Sequence, residues 1–210
     1  MKLKVCGMKN RENITEVARL GPDYLGFIFY EKSPRYFEGD MPELPNNIKK
    51  VGVFVDSTTE EIFEKVSTYN LDAIQLHGNE SAQYCKNLQV NAKDLQIIKV
   101  FSVDEDFNFN SLKEFEDCCD YFLFDTKGKL PGGNGYTFNW DILKEYPSIK
   151  PYFLSGGIGL DSLDAIKEFL GHDSSKYCHA IDVNSKFESE PGQKIISQIQ
   201  KFKNELTHEL

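Results

Sequence analysis

This chain is short of the residues on which several large classes of protein depend. Basic side chains are in deficit, 24 Lys and Arg against 33 Asp and Glu, for a net charge of −9. That leaves no basic footprint for a phosphate backbone, so no nucleic-acid partner is expected. A small anionic ligand stays compatible, because a few local donors outweigh a distant acidic surface. No apolar run approaches the roughly 18 residues of a membrane span. No basic stretch followed by an apolar segment opens the sequence, so neither a membrane nor export is expected. The four histidines are scattered, none three or four residues from another, which argues against a metal site. The five cysteines, Cys6, Cys85, Cys118, Cys119 and Cys178, are an odd number without framework spacing. They fit free thiols in a reducing cytoplasm. Cys118 and Cys119 read as small apolar residues ahead of a strand, with a vicinal redox pair as the lesser alternative. Linkers, low-complexity stretches and shifts of composition are missing too, which leaves one domain over residues 1–210.

What is present is a rhythm. Hydrophobic residues make up 40% of the 210, enough for one large core. Short apolar runs at Leu3 to Cys6, Tyr24 to Phe29, Lys50 to Val55, Ala73 to His77, Gln96 to Phe101, Tyr121 to Asp125, Pro151 to Ser155 and Ala180 to Val183 read as eight strands. About 26 residues per unit is close to the minimum for a strand, a crossover helix and two loops. Helical stripes lie between them. Ile14, Val17 and Ala18 share one face, as do Leu163, Ile166, Phe169 and Leu170, and Ser57 to Glu60 stand where helix caps stand. Ile195, Ile196, Ile199 and Phe202 predict a closing helix that frays over Asn204 to Leu210. Eight strand–helix repeats fit a closed (β/α)8 barrel or an open doubly wound sheet. An open nucleotide-binding sheet carries a G-x-G-x-x-G turn after its first strand. Cys6-Gly7-Met8-Lys9-Asn10 stands there instead, and the glycine-rich turns follow strands six and seven, so a single (β/α)8 TIM barrel is the better reading.

In such a barrel, polar residues at the C-terminal tips of strands face the active site. Cys6 and Asp125 hold two such tips, and a thiol opposite a carboxylate can move a proton across a bound substrate. Gly156 and Gly157 after strand seven, with Asn184, Ser185 and Lys186 after strand eight, occupy the usual phosphate position of the fold. Arg35, stiffened by Pro34, offers a two-point grip on a carboxylate. Gln75 and His77 alternate onto one face at the end of strand four, His77 in a supporting role. Lys127 to Gly135 reads as a lid over the site. Lys4 shares the Cys6 face, and a lysine inside a barrel needs a partner. Asp182, on the neighbouring strand eight, is the obvious carboxylate, and the pair is expected to lend Cys6 a thiolate-favouring field.

Taken together, Lys4-Val5-Cys6-Gly7, Gly26-Phe27-Ile28-Phe29, Ser33-Pro34-Arg35-Tyr36, Val51-Gly52-Val53-Phe54-Val55, Gln75-Leu76-His77-Gly78, Asp125-Thr126, Gly132-Gly133 with Gly135, Ser155-Gly156-Gly157 and Asp182-Val183 resemble the phosphoribosylanthranilate isomerases of tryptophan biosynthesis. The resemblance spans nearly the whole chain. It implies a (β/α)8 barrel, no cofactor, and an Amadori rearrangement of a small phosphosugar substrate. In that scheme Asp125 is the general acid that opens the ribose ring and Cys6 the general base that takes the C2 proton. Arg35 holds the anthranilate carboxylate, and the loops after strands seven and eight hold the phosphate. Asp125 is then expected to stay partly protonated by desolvation under the lid, and Cys6 to be partly thiolate. A monomer is expected rather than a homodimer. The chain departs from the resemblance at Asn184-Ser185-Lys186-Phe187-Glu188, where the family usually reads Ser-Ser-Gly-Val-Glu, and Lys186 is expected to offset the lost glycine with charge. Two alternatives stay open, the sister isomerase of histidine biosynthesis, which resembles a barrel with aspartate at the position of Cys6, and a non-catalytic phosphosugar-binding barrel.

Overall fold

A computed structural model describes residues 1–92, 94–126 and 139–207. Eight strands, β1 (Lys2–Val5), β2 (Tyr24–Ile28), β3 (Lys49–Phe54), β4 (Ala73–Leu76), β5 (Gln96–Val103), β6 (Tyr121–Thr126), β7 (Tyr152–Leu154) and β8 (Cys178–Val183), close into one barrel in sequence order. Every neighbouring pair is parallel, and β1 seals against β8 with Lys4 opposite Asp182. The eight expected strands are all present, with ends shifted by one or two residues. Their near-continuous burial follows from having side chains inside the barrel on one face and helices on the other. Tyr24, Val51, Ala73, Ile98, Val100, Leu123, Phe153 and Ala180 fill the interior. A second, larger cluster that includes Leu25, Ile74, Phe122 and Ile181 packs outward against the helices.

The helices bury the stripes that their periodicity marks. α1 (Arg11–Arg19) buries Ile14, Val17 and Ala18. α2 (Thr59–Tyr69) begins at Thr58, whose hydroxyl accepts from the Glu61 amide while the Glu61 carboxylate accepts from the Thr58 amide. α3 (Ala82–Asn91), α4 (Leu163–Leu170) and α5 (Ile196–Thr207) complete the set. α5 does not fray from Asn204. It runs on to Thr207 because Leu206 is buried against the core beyond Ile199 and Phe202.

The strand–helix alternation is less regular than the sequence rhythm suggests. Residues 30–48, between β2 and β3, form no helix. Pro34, Pro42 and Pro45 lack the amide hydrogens that a helix needs and disfavour helical backbone before them. The loop is held instead by buried Phe37 and Ile48, Phe37 meeting Phe27 edge-on at 5.0 Å. Among the described residues, the crossovers after β5 and β6 carry 3₁₀ turns, Phe109–Phe115 and Trp140–Glu145, and no α-helix. Phe109 packs edge-on with Phe107, and Phe107 with Phe101, an aromatic cluster that sets the path of the chain in place of helical propensity. Cys85, Cys118 and Cys119 are buried free thiols with sulfurs within 4.8 Å of one another, packed as small apolar groups where α3 covers the barrel. A short hairpin of β9 (Glu188–Glu190) and β10 (Gln193–Lys194), absent from the sequence reading, follows β8.

Candidate active site

The C-terminal ends of the strands open onto a recess of about 720 Å³, counting the solvent at its mouth. Cys6, Arg35, Gln75, His77, Asp125, Gly156, Gly157, Asp182, Asn184 and Ser185 all line it. Strands 1, 2, 4, 6, 7 and 8 thus each deliver polar groups to one space. The expected lid, Lys127 to Gly135, lies outside the described residues.

Cys6 continues β1 by one residue, its amide donating to the Val183 carbonyl at 2.9 Å. The residue opposite on β2 is Gly26, where an added Cβ would stand 2.7 Å from the Cys6 sulfur. A glycine there makes room for the thiol. Beneath it, the Lys4 ammonium meets the Asp182 carboxylate at 2.8 Å, both groups buried, the pairing that alternation and strand order require. Burial works against the Lys4 cation, but Asp182 and Cys6 together outweigh it and hold the ammonium above its usual range. The field that Lys4 was expected to lend Cys6 is outweighed in turn. Burial pushes the Cys6 thiol up, Lys4 pulls it down, Asp182 pushes it up again, and Lys194 pulls it down, with a net shift upward. The physical reason is first that the thiol is shut away from water, and then that Asp182 offsets part of the pull of Lys4.

Asp125, buried at the tip of β6, accepts the Thr126 amide on one oxygen at 2.9 Å. Its other oxygen is 3.4 Å from His77 Nε2, and His77 Nδ1 is 3.5 Å from Gln75 Nε2. Gln75 and His77 therefore stand in a row behind the carboxylate. Two buried acceptors in the same walls, Gln75 Oε1 and Asp182 Oδ1, have no hydrogen-bond partner among the described residues. They can receive a ligand's hydroxyl or amine. Gly156 and Gly157 bound the recess opposite, with φ of 94° and 63°. A Cβ on Gly156 would collide with the Thr126 hydroxyl and stand 2.5 Å from its amide nitrogen. This close approach ties the β7 loop to the residue that follows Asp125.

Two residues differ from expectation. Arg35 reaches the recess, but its Nε and Nη2 already fork onto Glu188 at 2.8 to 3.1 Å. A ligand carboxylate is left the opposite, Nη1 edge. Lys186 does not line the recess at all. Its ammonium sits 3.5 Å from Asp161 at the surface, because the turn Ser185–Phe187 buries Phe187 and sends its neighbour outward. The cation beside the β8 loop is Lys194, which sequence reading missed. Its Nζ donates to Glu188 Oε1 at 2.6 Å and to Asn184 Oδ1 at 2.8 Å. A signal existed in Pro191-Gly192, a turn dipeptide that folds β10 back onto β9 and sets Lys194 opposite Glu188. A further buried pair, Lys99 with Glu80 at 3.0 Å, braces the β3 and β4 loops, since Glu80 also accepts the amides of Asp56 and Gly78.

The chain is similar to known proteins over nearly its whole length. A family model for N-(5'phosphoribosyl)anthranilate (PRA) isomerase matches residues 3–205. An N-(5'-phosphoribosyl)anthranilate isomerase of Parabacteroides distasonis is 43% identical over 216 residues, covering 99% of this chain and 94% of that protein. The phosphoribosylanthranilate isomerase of Thermotoga maritima, described as dimeric, superposes with a TM-score of 0.80 at 31% identity and 98% coverage of both chains. Another isomerase structure, in complex with reduced 1-(o-carboxyphenylamino)-1-deoxyribulose 5-phosphate, reaches 0.75 at 28% identity and 96% coverage of both.

Proposed function

The chain belongs to the N-(5'-phosphoribosyl)anthranilate isomerase family, and from that premise we propose that Cys6 and Asp125 carry out its rearrangement as general base and general acid. The protein is an isomerase of tryptophan biosynthesis acting on N-(5'-phosphoribosyl)anthranilate. The observation that carries the assignment of roles is that these two side chains, from β1 and β6, line one recess whose far rim is the glycine turn after β7.

The chemistry follows from where each group stands. Asp125 gives its proton to the ribose ring oxygen, the C1–O bond breaks, and the anilino nitrogen's lone pair makes the Schiff base. Cys6 removes the C2 proton, and the electrons move to leave an enolamine. Tautomerisation then gives the 2-keto sugar, with no net gain or loss of atoms. General acid–base assistance of this kind contributes about 10² to 10⁴ in rate. The substrate phosphate is assigned to the loops of Gly156, Gly157, Asn184 and Ser185, and its carboxylate to the free edge of Arg35. His77 and Gln75 hold Asp125 in place. Among the described residues Val90 and Ile149 are the exposed large hydrophobics, too little apolar surface for an obligate interface. A monomer is therefore our reading, in contrast to the Thermotoga relative.

Loss of phosphoribosylanthranilate fluorescence on adding the protein tests the assignment, with the two-phosphate substrate of histidine biosynthesis as control. Turnover of the first alone is expected. Binding without turnover would mean a non-catalytic barrel, and turnover of the control alone would mean the sister reaction.

A further inference from the structure

We propose that Lys194 is a positioning residue of this reaction, which supplies the uncompensated positive charge that favours the Cys6 thiolate and holds Arg35 through Glu188. The inference rests on the isomerase reading above and on a count of charges around Cys6. Lys4 on β1 is matched by Asp182 on β8 at 2.8 Å. Across the recess, Asp125 on β6 faces His77, the residue after β4, at 3.4 Å. Arg35 is matched by Glu188 through three contacts. Lys194 reaches that same carboxylate, so two cations share one anion and a positive charge is left over on this side of the recess.

Burial lowers Lys194 from its ordinary range, Glu188 pulls it back up, and its contacts hold the ammonium in one place. Its side chain is fully buried. Its amide donates to Asn13 Oδ1 at 2.7 Å, and its carbonyl accepts from Asn13 Nδ2 at 2.9 Å, so α1 clamps its backbone from both sides. Its ammonium donates to Glu188 and to both oxygens of Asn184. The Asn184 carboxamide in turn lies against Gly7, where a Cβ would stand 2.6 Å from its oxygen. A buried cation one packed group away from the residue after Cys6 is screened little by solvent. The Cys6 thiol responds, since Lys194 draws it down against the lift of burial. Glu188 reports the same cluster. Burial alone would raise its carboxyl, yet Arg35 and Lys194 hold it below the usual carboxylate range. Burial without this cluster would hold the Cys6 thiol higher still, and a less ionised thiol is a poorer base.

The test is ultraviolet titration of the Cys6 thiolate, taken as the difference from the same protein carrying Cys6→Ala, in the parent, Lys194→Met, Lys194→Gln and Lys194→Arg. Lys194→Gln keeps a donor towards Glu188 and Asn184 without the charge, which guards against a failure of Lys194→Met to fold. Loss of the charge is expected to move the thiol upward by about one pH unit or more. At neutral pH kcat should fall roughly tenfold, KM should change less, and activity should recover towards alkaline pH. Lys194→Arg should restore both titration and rate. An unmoved thiol in folded Lys194→Met or Lys194→Gln overturns the inference. A parent that titrates normally but does not turn over phosphoribosylanthranilate would instead overturn the isomerase reading, so the two failures are distinguishable.

Discussion

Single residues carry the chemistry here, and their neighbours are chosen to leave them room. Gly26 is the sharpest case, because any side chain there meets the Cys6 sulfur. Gly26→Ala is expected to lower kcat while the barrel keeps its circular dichroism, since a shift of about 1 Å in a catalytic group costs on the order of 10²-fold. Parent-like kcat would mean that Cys6 has slack. Lys186 gives the opposite expectation. Paired with Asp161 at the surface, it should contribute nothing to phosphate affinity, so Lys186→Gly should leave inhibition by inorganic phosphate unchanged. Weaker inhibition in that variant would return Lys186 to the site. Cys6, Asp125 and the Lys4–Asp182 pair were legible in the sequence because period-2 alternation and strand order decide which way such side chains point. Lys194 was not, since its partner is set by a hairpin that no periodicity announces. The double grip of Glu188 on Arg35 was equally hidden, because a salt bridge 153 residues apart along the chain depends on loop geometry.

At the scale of elements, the barrel strands could be read to within two residues and the crossovers could not. Continuous apolar runs mark a strand buried on both faces. What covers the outside is freer, and proline or aromatic packing replaces a helix where residues 30–48 and Phe109–Phe115 run. Those departures serve the site. The proline-bearing loop after β2 presents Arg35, and the hairpin after β8 presents Glu188 and Lys194 beside it. The β7 turn is the tightest joint of the rim. Gly156→Ala would force a positive φ on a side chain and drive it into Thr126, at a cost of about 1 to 3 kcal/mol. A lower thermal midpoint together with weaker binding of a reduced product analogue is expected. Loss of one without the other would separate the role of the turn in folding from its assigned role in phosphate binding.

Across the whole molecule, the two ends of the barrel do different work. The C-terminal end holds the reactive groups. The other end is closed by Tyr24, whose hydroxyl meets His179 Nε2 at 2.8 Å, and by Tyr121, whose ring lies 4.6 Å from the imidazole. Burial, with Lys2 and Lys49 nearby, lowers His179 to about 4 from an ordinary 6.5. Between those values the unfolded chain binds a proton that the folded chain refuses. The stability contributed by neutral His179 is therefore fully present above pH 6.5 and is lost as pH falls towards 4. Denaturation midpoints across that range should fall less steeply in His179→Gln than in the parent. Parallel curves would show that the His179 cluster is indifferent to pH. Because this end lies away from the recess, the substitution should leave turnover unchanged at neutral pH.

The central claim is that a thiol on β1 and a carboxylate on β6 share one proton-transfer reaction. Turnover of phosphoribosylanthranilate by Cys6→Ala and Asp125→Asn, beside the parent and with folding checked by circular dichroism, tests it most directly. Each variant is expected to lose about 10² to 10⁴ in kcat with the barrel intact. Near-parent turnover in either folded variant would contradict the role assigned to that residue and, with it, the acid–base pair.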